Sequence, residues 1–305
     1  MKRLFTFGCS FTKYHWPMWS DIIAQDYDYF ENWARIGAGN KFIAFSLNEC
    51  HQRNCITAED TVMMMWSSAA REDRFINKEW YTPGPVYNSG YDEDFIKRFT
   101  DTTGYLLDTV NYIQSSENLL NNIGCQTQFF STLPLDVSTD WFSKLVQKVN
   151  PGVSQEIFKL YSQTLSKIKP SVFETIWNCD WSSREHVIAQ RNTHDAYDIL
   201  YKNYTDNATE NWPSFDDFYN DEMQGVKSFI LKEIDKQFNF NNARDKVKGL
   251  KRADLHLTPL ENLEYLQKLS IRVSKEAVQF AEHWDKIVMT GQGKQWKPKS
   301  THRQF

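Results

Sequence analysis

Two short stretches of this 305-residue chain carry residue types that together could perform serine hydrolysis. The first is Gly8-Cys9-Ser10-Phe11-Thr12, which comes directly after the run Arg3 to Phe7. A serine in a glycine-containing turn at a strand end is where an α/β enzyme exposes a nucleophile, because glycine accepts backbone angles that other residues resist. The second is Arg252-Ala253-Asp254-Leu255-His256-Leu257-Thr258-Pro259. Serine hydrolysis needs a hydroxyl, a histidine to take its proton, a group to hold that histidine and donors for the oxyanion. Asp254 and His256, two apart on an irregular turn, can face one site, with the carboxylate steadying the ring. Each stretch alone also has an ordinary reading, since Gly, Ser, Thr and Asp abound in turns.

The elements that must position these residues can be read from hydrophobic periodicity. Arg3 to Phe7 reads as a buried strand, and Trp16 to Ala24 as a first helix with Trp16, Trp19, Ile22 and Ile23 at helical spacing. Tyr27 to Ala34 reads as a second strand, followed by the glycine-rich loop Arg35 to Asn40 and a helix from Lys41 to about His51. The continuous apolar run Asp60 to Trp66 fits a strand buried on both faces of a parallel sheet, ending in the polar turn Ser67-Ser68. Residues 76 to 93, with Pro83, Gly84, Pro85 and Gly90, read as a surface loop. A helix is expected over Asp94 to Asn122, stopped by Gly124, and then a strand over Gln126 to Leu133 closing at Pro134. This alternation predicts an α/β fold, three-layer α/β/α around a parallel, flavodoxin-like sheet.

Beyond residue 138 the character changes. Helical patterns over Trp141 to Val149, Val153 to Ile168 and Phe215 to Phe238 are separated by polar loops such as Asn203 to Pro213, with one further strand signal at Val172 to Trp177. One long final helix is expected over 259 to 283, with Pro259 in its first turn and Leu260, Leu263, Leu266, Leu269 and Val273 along one side. The expected organisation is an α/β/α domain formed by 1–137 and 251–290, a large α-helical insertion or cap at 138–250, and a polar tail at 291–305.

Taken in order, these blocks resemble the SGNH/GDSL hydrolase superfamily, in particular phage and bacterial members with GxSFT and DxHxTP blocks. The resemblance spans roughly residues 1 to 75, 126 to 133 and 250 to 270. It implies a serine esterase or acylhydrolase that uses no cofactor. Ser10 would be the nucleophile, His256 the general base and acid, and Asp254 its orienting partner. The oxyanion would be held by the backbone N–H groups of Ser10 and Gly37, with Gly39 the nearby alternative, and Asn40 is expected as a helix N-cap. Three positions depart from the family pattern. Cys9 replaces its Asp and is expected to be buried packing. Trp66-Ser67-Ser68-Ala69 replaces a Gly-x-Asn-Asp run, so that Ser68 (or Ser67) would stand in for the missing Asn donor. One residue rather than two separates Asp from His, and Leu257 replaces a Pro. Tyr14, Trp66 and Arg71 are the candidate substrate-binding residues, and Arg71 can alternatively pair with Glu72 or Asp73.

Bulk properties bound the remaining possibilities. A net charge of −4 argues against a nucleic-acid surface, and no apolar run reaches the length of a membrane span. The five cysteines include no CxxC pair, and Cys50, His51 and Cys55 have no metal-ligand spacing, so neither a metal site nor a disulfide framework is indicated. Gly37-Ala38-Gly39-Asn40-Lys41 lacks the ending of a phosphate-binding P-loop. No signal peptide is visible, and a reducing cytoplasmic setting, or virion packaging for a phage-encoded chain, is expected. The expected partner is a small ester or an acylated glycan. The alternative is an SGNH-fold protein, catalytically weakened or inactive, that binds or builds structure.

Overall fold

The computed structural model describes residues 1–84, 86, 95, 98–133, 135, 151–177, 256–289 and 296–297. Arg3–Phe7 forms β1, as its apolar run predicts. The first helix, α1, is only Trp19–Ile23, continued by a 3-10 turn at Ala24–Asp26. Pro17 explains the late start, because a proline disfavours the helical conformation in the residue before it, here Trp16. Then come β2 (Tyr29–Asn32), α2 (Asn40–Asn54) and β3 (Thr61–Trp66). A hairpin, β4 (Arg74–Ile76) and β5 (Glu79–Tyr81), begins just before the stretch expected as loop and occupies its first part. Its two turn residues, Asn77 and Lys78, both take positive φ, 52° and 67°, the backbone of a type I′ turn. The next helix, α3, spans Thr102–Ile123 and ends on Gly124 at φ 76°, whose N–H bonds the Leu120 carbonyl. β6 comes next, at Gln126–Ser131.

The main sheet has the order β2-β1-β3-β6, parallel throughout, with Phe5 beside Glu31 on one side and Val62 on the other. The chain therefore moves one way across the sheet from β1 to β2, and the other way from β2 to β3 and β6. Right-handed connections then place α1 on one face and α2 and α3 on the other. The helix pairings agree, with α2 packed on α3. The direction reverses at β1, and an open α/β sheet has its crevice outside the carboxyl ends of the strands at such a point. β3 is buried along its whole length, and Phe5, Phe7, Trp19, Trp33 and Phe130 fill the core. Each such side chain contributes about 1.5–3 kcal/mol by leaving water.

Two further helices, α4 (Pro151–Leu160) and α5 (Ser162–Leu165), lie against α3, with Ile157 buried on Leu106 and Val110. This is the described part of the block expected as an insertion. Trp141 to Val149, Asn203 to Pro213 and Phe215 to Phe238 lie outside the described residues. The strand expected at Val172 to Trp177 is instead a π-helical turn, Phe173–Trp177, after Ser171, whose N–H and hydroxyl both bond Glu174. The position beside β6 goes to Ile168, which bridges to Phe129, and the Lys169 N–H bonds the Phe129 carbonyl.

The single helix expected over 259 to 283 is two, α6 (Pro259–Lys268) and α7 (Lys275–Met289). Ser270 takes φ 58°, its N–H bonds Gln267 and the Ile271 N–H bonds Leu266, which is a Schellman termination. Leu263, Leu266 and Leu269 are buried, whereas Leu260 is exposed and off that side. α6 and α7 pack on α1, completing the second helical layer.

Candidate active site

The Ser10 turn caps the carboxyl end of β1. The Cys9 carbonyl accepts from the N–H groups of Thr12 (2.9 Å) and Lys13 (3.2 Å), so Ser10 and Phe11 sit at the centre of a helical turn. Gly8 does not take a positive φ. It is required for space: a Cβ there would lie 2.1 Å from Thr12 Oγ1 and 3.2 Å from the Met65 carbonyl of β3. Cys9 is fully buried in the core and offers no surface as a rival nucleophile. Ser10 keeps a small exposure, 8%.

His256 comes to this turn from the far end of the chain. Its ring stacks on Tyr14, with centroids 3.7 Å apart and planes 14° apart, and lies 4.6 Å from the ring of Phe11. Several bonds hold the segment there. Trp16 Nε1 donates to the Leu257 carbonyl (2.8 Å), and the Trp19 N–H donates to Asn262 Oδ1 (3.1 Å). Asn262 Nδ2 in turn donates to the carbonyls of Leu257 and Thr258. Thr258 and Glu261 form a reciprocal capping box at the start of α6, with Pro259 in the first turn. Asp254 lies outside the described residues.

The loop after β2 runs alongside the Ser10 turn, since the Trp33 N–H bonds Thr6 and the Arg35 N–H bonds Gly8. Gly37 is the third residue of a turn closed by Ala38 N–H to the Arg35 carbonyl, at φ 77°. A Cβ there would meet the Thr82 carbonyl at 2.1 Å. Gly39 is different. Its N–H donates to Asp73 Oδ1 (2.8 Å), and the Phe42 N–H donates to Asp73 Oδ2 (2.8 Å), so this carboxylate caps α2 from 34 residues away. Burial pushes the Asp73 carboxyl up, against these two N–H donors. The Gly39 N–H is thereby committed to Asp73. Arg71 donates from Nη1 to the Ala38 carbonyl (2.9 Å), which fastens the same loop.

Asn40, at the end of the same loop, is the first residue of α2 and does not cap it; Gly39 occupies the cap position. Asn40 Nδ2 donates to the Ser67 carbonyl and Thr109 Oγ1, while its Oδ1 accepts from the Ser67 N–H and hydroxyl. The Ser67 hydroxyl is thereby committed. Ser68 Oγ accepts from the Ala70 N–H, which leaves its own proton to donate elsewhere. Trp66 is fully buried, edge-on to Phe129, and belongs to the core rather than to a pocket wall.

Asp21, in α1, is a buried acid. Asp21 accepts the Met18 N–H at 3.0 Å, and desolvation pushes its carboxyl up to about 7 despite that bond and the nearby Lys13. Desolvation pushes the Lys13 amine down. Among the described residues, no group of three His, Cys, Asp or Glu side chains is placed to hold a metal, and no helix is long and apolar enough to cross a membrane.

The residues that fix this site leave little trace in the sequence. Asp73 and Asn262 act across 30 to more than 200 residues and carry no local signal.

The parallel sheet with helices on both faces defines an α/β protein of the open, doubly wound kind. No protein-family profile and no curated protein matches the chain. Among solved structures, the chain is similar to that of a member of the lipolytic protein G-D-S-L family from Veillonella parvula DSM 2008. The two are 12% identical, the match covers 78% of this chain and 99% of that one, and the TM-score is 0.34.

Proposed function

We propose that this chain is a serine acyl hydrolase of SGNH type, acting on small esters or O-acylated glycans. The observation that carries the reading is the seating of His256 on Phe11 and Tyr14, one and four residues after Ser10. Ser10 Oγ attacks the ester carbonyl and gives its proton to His256. The imidazolium returns that proton to the departing alcohol as the carbon–oxygen bond breaks. Water, deprotonated by His256, then cleaves the acyl-enzyme and regenerates Ser10. Asp254 orients the imidazole. The oxyanion takes donors from the N–H groups of Ser10 and Gly37 and from the Ser68 hydroxyl, and one such donor is worth on the order of 10²–10³ in rate. Tyr14 and Arg71 border the substrate.

The test is labelling with a fluorophosphonate, located by peptide mass spectrometry, together with hydrolysis of p-nitrophenyl acetate. A label on Ser10 that is absent from the Ser10→Ala variant, with loss of hydrolysis in that variant, supports the reading. Native protein that neither labels nor hydrolyses overturns it. A second reading, binding of an acylated glycan without turnover, draws on the Trp66-Ser67-Ser68-Ala69 turn. There the Asn40–Ser67 pair satisfies itself, and on the SGNH resemblance the Ser68 hydroxyl would have to replace an amide donor. That reading requires glycan binding by calorimetry in a protein that does not label.

A further inference from the structure

Asn32, the last residue of β2, is almost fully buried and touches both halves of the proposed site. Its Nδ2 donates to the Thr12 carbonyl (3.0 Å) and to Ser20 Oγ (3.2 Å), and its Oδ1 accepts the Ala34 N–H (3.1 Å). Ser20 Oγ itself donates to the same Thr12 carbonyl (2.6 Å). Thr12 closes the turn that contains Ser10, because its N–H bonds Cys9. Ala34 starts the segment that runs past Gly8 to Gly37. One buried amide is therefore bonded at once to the nucleophile turn and to the oxyanion loop.

The donor count explains why an amide is needed. The single hydroxyl proton of Ser20 goes to Thr12, so both hydrogens aimed at Thr12 and at Ser20 Oγ must come from the Asn32 NH₂. A carboxylate of the same shape would still accept the Ala34 N–H, but it would set an oxygen against the Thr12 carbonyl. A buried oxygen pair of that kind forces one side to move.

We propose that Asn32 is a positioning residue that sets the distance between the Ser10 hydroxyl and the Gly37 N–H. It touches no substrate and acts through Thr12 and Ala34. The assignment of a catalytic consequence rests on the hydrolase reading, whereas the mechanical coupling does not. Misplacing a reacting group by about 1 Å can cost on the order of 10²-fold in rate. Because the effect falls on the transition state, kcat drops while KM holds.

The full-length native chain, Asn32→Asp and Ser20→Ala are compared by amide hydrogen exchange and by ester kinetics. Asn32→Asp is expected to speed exchange at least tenfold in peptides covering both 8–14 and 33–38, while peptides from β3 and β6 stay unchanged. The rate of Ser10 phosphonylation and kcat fall at least tenfold, with KM within twofold of native. Ser20→Ala, which keeps the Asn32–Ala34 bond, loosens 8–14 and leaves 33–38 unchanged. This second variant decides the matter should Asn32→Asp not fold. Loosening of only one segment in Asn32→Asp, a uniform rise across β3 and β6, or an unchanged turn in Ser20→Ala overturns the proposal. If native protein does not label at Ser10, the hydrolase reading fails, and the exchange pattern still decides the coupling.

Discussion

The imidazole of His256 lies flat on the phenol of Tyr14, with centroids 3.7 Å apart, four residues beyond Ser10 in the chain. The ring proposed to move a proton is thus held by a face contact. Aromatic pairs of this sort are worth about 0.5–1.5 kcal/mol beyond the area they bury. Tyr14→Ala is expected to lower kcat/KM for p-nitrophenyl acetate roughly tenfold. Tyr14→Phe, which keeps the stack, stays within about twofold. Steady-state kinetics of the two variants side by side check this, and equal losses in both would assign the effect to the phenol oxygen.

Gly37→Ala is expected to destabilise the fold by more than about 2 kcal/mol. A left-handed φ for a non-glycine residue costs about 1–3 kcal/mol, and the added methyl meets backbone, the Thr82 carbonyl, which cannot swing aside. Urea unfolding gives the number. An Ala variant as stable as the native chain would mean that the 35–38 turn can flip without disturbing the 82–84 segment.

Removal of the Asp73 carboxylate leaves the N–H groups of Gly39 and Phe42 unpaired at the buried start of α2. Asp73→Ala should cost about 2–3 kcal/mol in chemical denaturation, and Asp73→Asn, which can still accept one of the two bonds, about half as much.

Asp21 makes the fold sensitive to pH in a defined direction. Its folded pKa, about 7, lies above the ordinary 3.8. Between those values the folded chain holds a proton that the unfolded chain has released, so stability falls as pH rises from about 4 to about 7 and is flat above. Thermal melts of the native protein should therefore lose several degrees between pH 5 and pH 8. Asp21→Asn, which can still accept the Met18 N–H, should lose less over the same interval. Identical pH slopes in the two proteins would count against the buried acid.

Where burial dictated the sequence, the fold was legible. β1 and β3 are apolar because both faces are covered, and their ends are marked by Gly8 and Ser67. Gly124 and Pro259 sit at helix ends for reasons of backbone conformation that any chain must obey. What escaped was structure encoded by conformation without composition. The β4–β5 hairpin turns on Asn77 and Lys78, and lysine carries none of the usual signal for positive φ. The break between α6 and α7 is hidden because Leu263, Leu266 and Leu269 bury on one side, and Ile271 and Val273 beyond the stop pack on the same core. At the candidate site, the sequence singled out Ser10, Tyr14 and His256, and the structure brings the Tyr14 and His256 rings together beside the Ser10 turn. The roles of Asn40, Asp73 and Trp66 depend on partners remote in the chain, and periodicity says nothing of these.

The capping box at Thr258 has a consequence for how such a protein can change over time. His256 takes its place from the residues on its carboxyl side, through Leu257 bonded to Trp16 and Thr258 locked to Glu261. A histidine anchored in that way is indifferent to the length of chain that delivers it. Segments between residue 177 and Asp254 can lengthen, shorten or be exchanged as cassettes while the imidazole keeps its seat. Diversification of what surrounds the site is thereby uncoupled from upkeep of the site itself.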